Sequence, residues 1–342
     1  MKSIYFLSFL FTFVIIFTGC NRPLSVSEQS ESDTSTTKVD SLDILTVLIR
    51  QDPENPEYHY RRALQWMSRD NFDSAMRDIG VATRLDSTEP AYYLALADIY
   101  LNRNKLQNSV AAVDRALELE PRNIKALLKQ AEIHLVVGNH LEALKHLDRV
   151  IELDDLNDKA IFLRGVVFME TGDTSRAVRN FQKAIDINQE YMEAYMQLGI
   201  LYSLKKNRIA LDYFNSVLNM DPDNLEAKYS IAIFYQEVGE YENAMSAYGS
   251  ILVDKPDFYI AHYNMGYIEL VYRENYEDAI EHFTEAIGIN PEYADAYYNR
   301  GLSYEMLGDV QNSYENYKEA VTLQPNHPKA LEGLKRIDDH LE

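Results

Sequence analysis

The chain has 342 residues, 54 of them acidic and 33 basic, for a net charge of −21, with 46% hydrophobic content and one cysteine. So negative a body argues against nucleic-acid or anionic-lipid partners, whose phosphates it would repel. A lone cysteine excludes a disulfide within the molecule, while the apolar content is ample for a helical core.

Taken in chain order, the first 19 residues read as a cleavable signal. Lys2 gives a positive start, and residues 4–17 form an apolar run too short for a comfortable membrane span. The run ends in Phe17-Thr18-Gly19-Cys20. This resembles the lipobox of bacterial lipoproteins, although Phe17 stands where that family usually has Leu. The resemblance implies cleavage before Cys20 and acylation of the new terminus, so that a lipid anchors the protein to a membrane. An ordinary signal peptide, or an uncleaved anchor with an incidental cysteine, is the alternative. In some lipoproteins an Asp after the cysteine favours the inner membrane, and Asn21 therefore tilts the expectation toward the outer one. Residues 20–40 make up the lipidated cysteine and a tether that is rich in Ser and Thr and has no aromatic residue. Such a stretch cannot offset its ordering entropy and is expected to be a coil spanning about 25 Å.

Residues 41–55 are expected to form an N-terminal capping helix, with Leu45, Leu48 and Pro53 in frame with a repeat that begins at residue 56. From 56 to 327 the sequence repeats at a period of 34, over 56–89, 90–123, 124–157, 158–191, 192–224, 225–258, 259–293 and 294–327. The eighth position is always small: Ala63, Ala97, Ala131, Gly165, Gly199, Ala232, Gly266, Gly301. Positions 20 and 27 are small or β-branched, position 24 is bulky, and Pro121, Pro222, Pro256, Pro291 and Pro325 close five repeats. That pattern dictates two helices per repeat, close at the small residues and plugged by the bulky one, with proline ending the second. Gly138-Asn139, Gly172-Asp173, Gly239-Glu240 and Gly308-Asp309 mark turns between the two helices. The fifth repeat is one residue short near Asn207 and the seventh one residue long near Glu274, and both slips are expected to fall in turns. Residues 328–342 are expected to form a C-terminal capping helix with Leu331 and Leu334 inward and Lys335 at the small position.

The pattern resembles the tetratricopeptide repeat (TPR), most closely in Tyr195-x-x-Leu198-Gly199-x-x-Tyr202, Ala210-x-x-x-Phe214 and Pro222. The first repeat departs with His59 and Arg62 at apolar positions, and the eighth with Arg300 and Ser313. The resemblance implies an all-α fold, a right-handed superhelical solenoid of about eight helix-turn-helix repeats with helical caps.

No catalytic constellation is legible. His134, His140 and His146 are six residues apart, which is not metal-ligand spacing on one helix face. There is no glycine-rich phosphate loop and no nucleophile elbow. The expectation is a non-enzyme with no cofactor and no metal.

In the TPR family the first helix of each repeat lines a concave groove. Position 5 there reads Tyr60, Leu94, Leu128, Phe162, Met196, Tyr229, Tyr263 and Tyr298, and position 9 adds Tyr267. A ladder of this kind would offer an extended or helical peptide a row of apolar contacts with tyrosine hydroxyls for hydrogen bonding. Alternatively, position 5 packs against the neighbouring repeat and merely lines the wall. Arg61, Lys125, Lys129 and Lys159 make the first half of the groove basic, and Glu193, Glu226, Glu237, Asp295 and Glu305 make the second acidic. The lysine-rich carboxylate clamp of the family's chaperone-binding members is not present, because position 5 holds no lysine. The expected function is a lipid-anchored protein–protein adaptor of the bacterial cell envelope, its body in the periplasm or at the cell surface, holding a partner's peptide segment in the groove. A self-associating structural envelope protein with no groove ligand is the alternative.

Overall fold

The computed structural model describes residues 40–341, with side chains described as far as residue 338. The expected signal, Cys20 and the tether up to residue 39 lie outside the described residues. Those that are described form eighteen α-helices and no strand. The fold is therefore all-α, and it divides into two compact bodies after Asp173.

The first body runs through α1 (Ser41–Gln51), α2 (Pro56–Met67), α3 (Phe72–Leu85), α4 (Pro90–Asn102), α5 (Leu106–Leu119), α6 (Ile124–Val136), α7 (His140–Leu153) and α8 (Asp158–Glu170). Each helix packs on the next, and the first helices of successive repeats also touch, α2 against α4 and α6 against α8. The second body contains α9 (Thr174–Ile187), α10 (Met192–Ser203), α11 (Ile209–Met220), α12 (Leu225–Glu237), α13 (Tyr241–Asp254), α14 (Tyr259–Ile268), α15 (Tyr276–Ile289), α16 (Ala294–Met306), α17 (Val310–Leu323) and α18 (Pro328–Leu341). There α10 lies against α12 and α16 against α18.

Local chemistry sets the helix ends. Asn71, Asn123, Asn157, Asn224 and Asp309 each accept a hydrogen bond from the amide three residues on, which contributes about 1 kcal/mol per helix. The turn inside every repeat is closed by one residue in the left-handed region. Gly138, Gly172, Gly239 and Gly308 fill it at φ between 69° and 82°, whereas Asp70, Asn104, Lys206 and Glu274 adopt it at φ between 52° and 56°. The sequence signals only the glycine turns, because the other four side chains are not turn markers of equal strength.

Packing explains the small positions. A Cβ at Gly266 would lie 2.9 Å from the Phe283 ring, and one at Gly301 would lie 2.9 Å from Tyr317. The residue at position 24 scales with its neighbour. Alanine at position 8 goes with Ile79, Val113 or Leu147, while glycine makes room for Phe214, Phe283 or Tyr317, all of them buried. The sixth repeat combines Ala232 with Tyr248, whose hydroxyl donates to Gln236 at 2.8 Å.

Three of the four departures in the first and eighth repeats make polar contacts, whereas the Ser313 hydroxyl is buried without a partner among the described residues. Arg62 donates to both Asp78 oxygens at 2.7 Å, and buried His59 meets the Pro53 carbonyl at 3.0 Å. Arg300 donates to Asn316 at 2.8 Å and to Thr284 at 3.0 Å.

The two length slips are absorbed by changes of helical pitch rather than in open loops. In most repeats the position-20 amide bonds four residues back, as in Ala75 to Asn71 and Ala143 to Asn139. In the short fifth repeat, Ala210 bonds three residues back to Asn207, and Leu211 to Arg208, which is a 3₁₀-type turn. In the long seventh repeat, residues 269–273 form a π-helical turn, and Asn275 bonds back to Glu269 across six residues where its equivalents span five.

The C-terminal helix differs from expectation on its inner face. Ala330 and Gly333 are buried and Leu334 half-buried, but Leu331 is exposed. Gly333 is the residue pressed on Tyr317, where a Cβ would sit 2.6 Å from the ring. Lys335 is exposed, since no described helix packs over it.

Candidate functional site: the first-helix face

The position-5 ladder is partly interior. Phe162, Met196 and Tyr263 are buried, and Tyr60, Leu94, Leu128, Tyr229, Tyr298 and the position-9 Tyr267 are half-buried. In the first body, Tyr60 packs on the ring of Tyr92 at 5.0 Å. Within the second body, Tyr229 lies between Tyr248 and Phe258, Tyr263 between Phe283 and Tyr293, and Tyr298 between Tyr317 and His327, all at centroid distances of 4.9–6.1 Å. The Tyr229 hydroxyl oxygen accepts from Asn264 at 3.1 Å and that of Tyr263 from Asn299 at 3.0 Å. Burial, the main cause, raises both phenols above the ordinary tyrosine range. These tyrosines therefore bind one repeat to the next. The two asparagines that complete the link carry no distinguishing mark in the sequence.

The charges redistribute as well. Arg61 pairs with Glu57 at 2.6 Å, Lys129 with Asp98 at 2.7 Å, and Lys159 with Glu132 at 2.6 Å. Burial works to lower the Lys129 ammonium pKa, but Asp98 and Glu132 outweigh it and the value is raised. Three of the four expected basic groups in the first body are thus neutralised internally, and Lys125 is exposed without an ion pair. In the second body, Asp295 meets His327 at 3.1 Å, and Glu305 takes both nitrogens of Arg336 at 2.9 Å. Among the described residues no ion pair engages Glu193 or Glu226, and burial raises the Glu226 carboxyl.

Apart from Leu64 on α2, the exposed large apolar residues on the first helices of the repeats lie at their turn ends, which sequence reasoning missed. Val136 (57% exposed) and Val137 project in the first body; Leu204 (62%), Val271, Tyr272, Met306 and Leu307 do so in the second. They occupy positions 13 and 14 of the same frame, so reading those two columns of the repeat would have found them. Among the described residues, no three His, Cys, Asp or Glu side chains converge to hold a metal ion.

Residues 94–160, 158–191, 269–308 and 294–327 match the sequence pattern of the tetratricopeptide repeat. The chain carries TPR repeats. Solved structures with a similar fold include a TPR protein from Parabacteroides merdae, 18% identical, covering 72% of this chain and 98% of its own, at a TM-score of 0.53. A TPR repeat-containing protein from Cytophaga hutchinsonii is also 18% identical, covering 70% and 98%, at 0.60. Among curated relatives, human tetratricopeptide repeat protein 6 is 25% identical over 45% of this chain and 30% of its own length. The probable UDP-N-acetylglucosamine–peptide N-acetylglucosaminyltransferase SPINDLY of Hordeum vulgare is 28% identical over 39% of this chain and 15% of its own. This TPR chain thus matches less than a third of the length of either relative. TPR repeats are protein-interaction scaffolds, and part of the exposed apolar surface of this one lies at the turn ends of its first helices.

Proposed function

We propose that this protein is a TPR adaptor, tethered to a bacterial membrane through lipid on Cys20, that holds a segment of a partner protein along its first-helix face. The observation that carries the reading is the row of exposed apolar side chains at the turn ends of those helices. Isolated exposed leucines and valines are ordinary, but within the second body positions 13 or 14 expose apolar side chains in the fifth, seventh and eighth repeats, and that recurrence supports an interaction surface. The lipobox-like Phe17-Thr18-Gly19-Cys20 and the tether rich in Ser and Thr support the envelope setting, periplasmic or surface-facing.

The test is capture from a cross-linked envelope extract, comparing wild type with Val271→Ser/Met306→Ser/Leu307→Ser, three exposed positions whose change leaves the core intact. A partner lost only in the variant supports the adaptor. A partner retained by both moves binding off this face. Changing Tyr229, Tyr263 and Tyr298 instead would disrupt contacts between repeats and report on folding. Cys20→Ser is expected to release the protein from membranes on fractionation, and continued membrane association would mean an uncleaved anchor. A mass that rises with protein concentration, with no partner captured, would replace the adaptor by a self-associating structural protein.

A further inference from the structure

In the second body the π turn does more than absorb an extra residue. It places Tyr272 over Tyr241 of the preceding repeat, with ring centroids 4.3 Å apart and planes 19° from parallel. Tyr267 meets the same Tyr272 edge-on at 6.0 Å, which makes a corner of three aromatic rings. Tyr272 is 45% exposed and the other two rings are half-exposed. No hydrogen bond engages any of the three hydroxyls among the described residues. Glu237, at the end of α12, lies close by. After burial, its charge is the next cause that raises the Tyr241 and Tyr267 hydroxyls.

This carboxylate is half-exposed and holds only a loose ion pair among the described residues. Lys206 donates to the Glu237 backbone carbonyl at 2.6 Å, but its ammonium stays 4.0 Å from the carboxylate. Arg273, next to Tyr272 in the chain, is committed to Glu242 and Glu269 at 2.5 and 2.7 Å. The molecule itself shows what an aromatic ring beside a carboxylate takes in this layer. In the eighth repeat the Lys329 ammonium lies 5.8 Å from the Tyr298 ring centre, and Arg336 binds Glu305. A ring face is electron-rich and attracts a cation, more so once a carboxylate adds its own field.

We infer that the corner formed by Tyr241, Tyr267, Tyr272 and Glu237 receives a lysine or arginine side chain from a basic segment of the partner. The inference rests on the adaptor function and names the chemistry of its partner. The exposed Tyr272 face supplies the cation–aromatic contact, and Glu237 supplies the charge-assisted hydrogen bond.

The test is fluorescence anisotropy of a labelled peptide of alternating lysine and glycine, at physiological ionic strength, against the same peptide with its lysines acetylated. Wild type is expected to bind the charged peptide and not the acetylated one. Tyr272→Ala should weaken binding about fivefold, while Tyr272→Phe, which keeps the ring face, should retain it. Glu237→Gln should weaken binding, and Glu281→Gln, an equal charge change at an exposed site on α15, should not. Equal losses for the two glutamates, or Tyr272→Ala binding as wild type does, would reduce the effect to net charge and overturn the inference. Failure of wild type to bind the charged peptide would overturn it as well. The adaptor function is judged separately by the capture experiment, so a partner still lost with the Val271, Met306 and Leu307 changes would leave the adaptor standing and remove only the basic corner.

Discussion

Gly199→Ala isolates the close contact on which each helix pair depends. The added methyl would sit 2.6 Å from Cδ1 and 2.9 Å from Cζ of Phe214, a ring that is 1% exposed and packed on all sides. Overpacking of this kind costs about 1–3 kcal/mol, because neither the ring nor the α10 backbone has free volume to move into. Against that, alanine in place of glycine inside a helix is favourable by about 1 kcal/mol. The control is Gly249→Ala in α13, where nothing lies within 4 Å of the new Cβ and only the favourable term operates. Urea unfolding followed by far-UV circular dichroism should therefore rank the three proteins Gly249→Ala, wild type, Gly199→Ala, with the two variants separated by about 1–3 kcal/mol. Gly199→Leu should lose several kcal/mol more. Equal stabilisation by both alanine variants would show that Phe214 yields freely, and would refute the assignment of position 8 as a close-packing site.

Tyr263→Phe should cost about 1–3 kcal/mol by leaving the buried Asn299 amide without its acceptor, and adding Asn299→Leu should recover part of that loss in the same unfolding assay. Asp70→Gly should raise stability by about 1 kcal/mol in thermal unfolding, since a side chain at φ 56° is strained where glycine is not. Acidification should destabilise the fold. Burial first, and then the facing imidazole of His134 or His282, hold His146 and His262 below the ordinary value of 6.5; burial likewise lowers His282, against the nearby carboxylates of Glu269, Asp278, Glu281 and Glu285. The unfolded chain thus binds protons that the folded chain refuses. Stability is full above pH 6.5 and is lost as pH falls toward the lowered folded values, and His262→Gln should flatten that dependence of the melting temperature.

The period, the two helices per repeat and the small positions are legible because each follows from one-dimensional spacing. Gly199 and Phe214 sit at fixed offsets, and helical geometry turns those offsets into a contact. Polar partnerships are not legible in the same way. Nothing in the spacing distinguishes an Asn264 that reaches Tyr229 from an Asn facing water, and Lys159 gives no sign that it will meet Glu132. The ladder looks like available surface because it is apolar and in register, yet a residue that locks adjacent repeats carries the same signature as one that awaits a ligand. Leu331 points inward by the same logic. Among the described residues, however, α18 packs only on α16 and α17, and Gly333, pressed on Tyr317, settles which side faces them.

The π and 3₁₀ turns bear on how such an array changes over generations. One residue added to a continuous α-helix would rotate everything beyond it by about 100°, and in most folds that error would spread through the core. Here the mistake is corrected within a single turn, and by Ala279 the chain is back in step with its neighbours. A copying error can therefore lift a new side chain, such as Tyr272, onto the surface while the core beneath stays as it was. Novel recognition can be tried one repeat at a time, with the rest of the molecule serving as an unaltered backup.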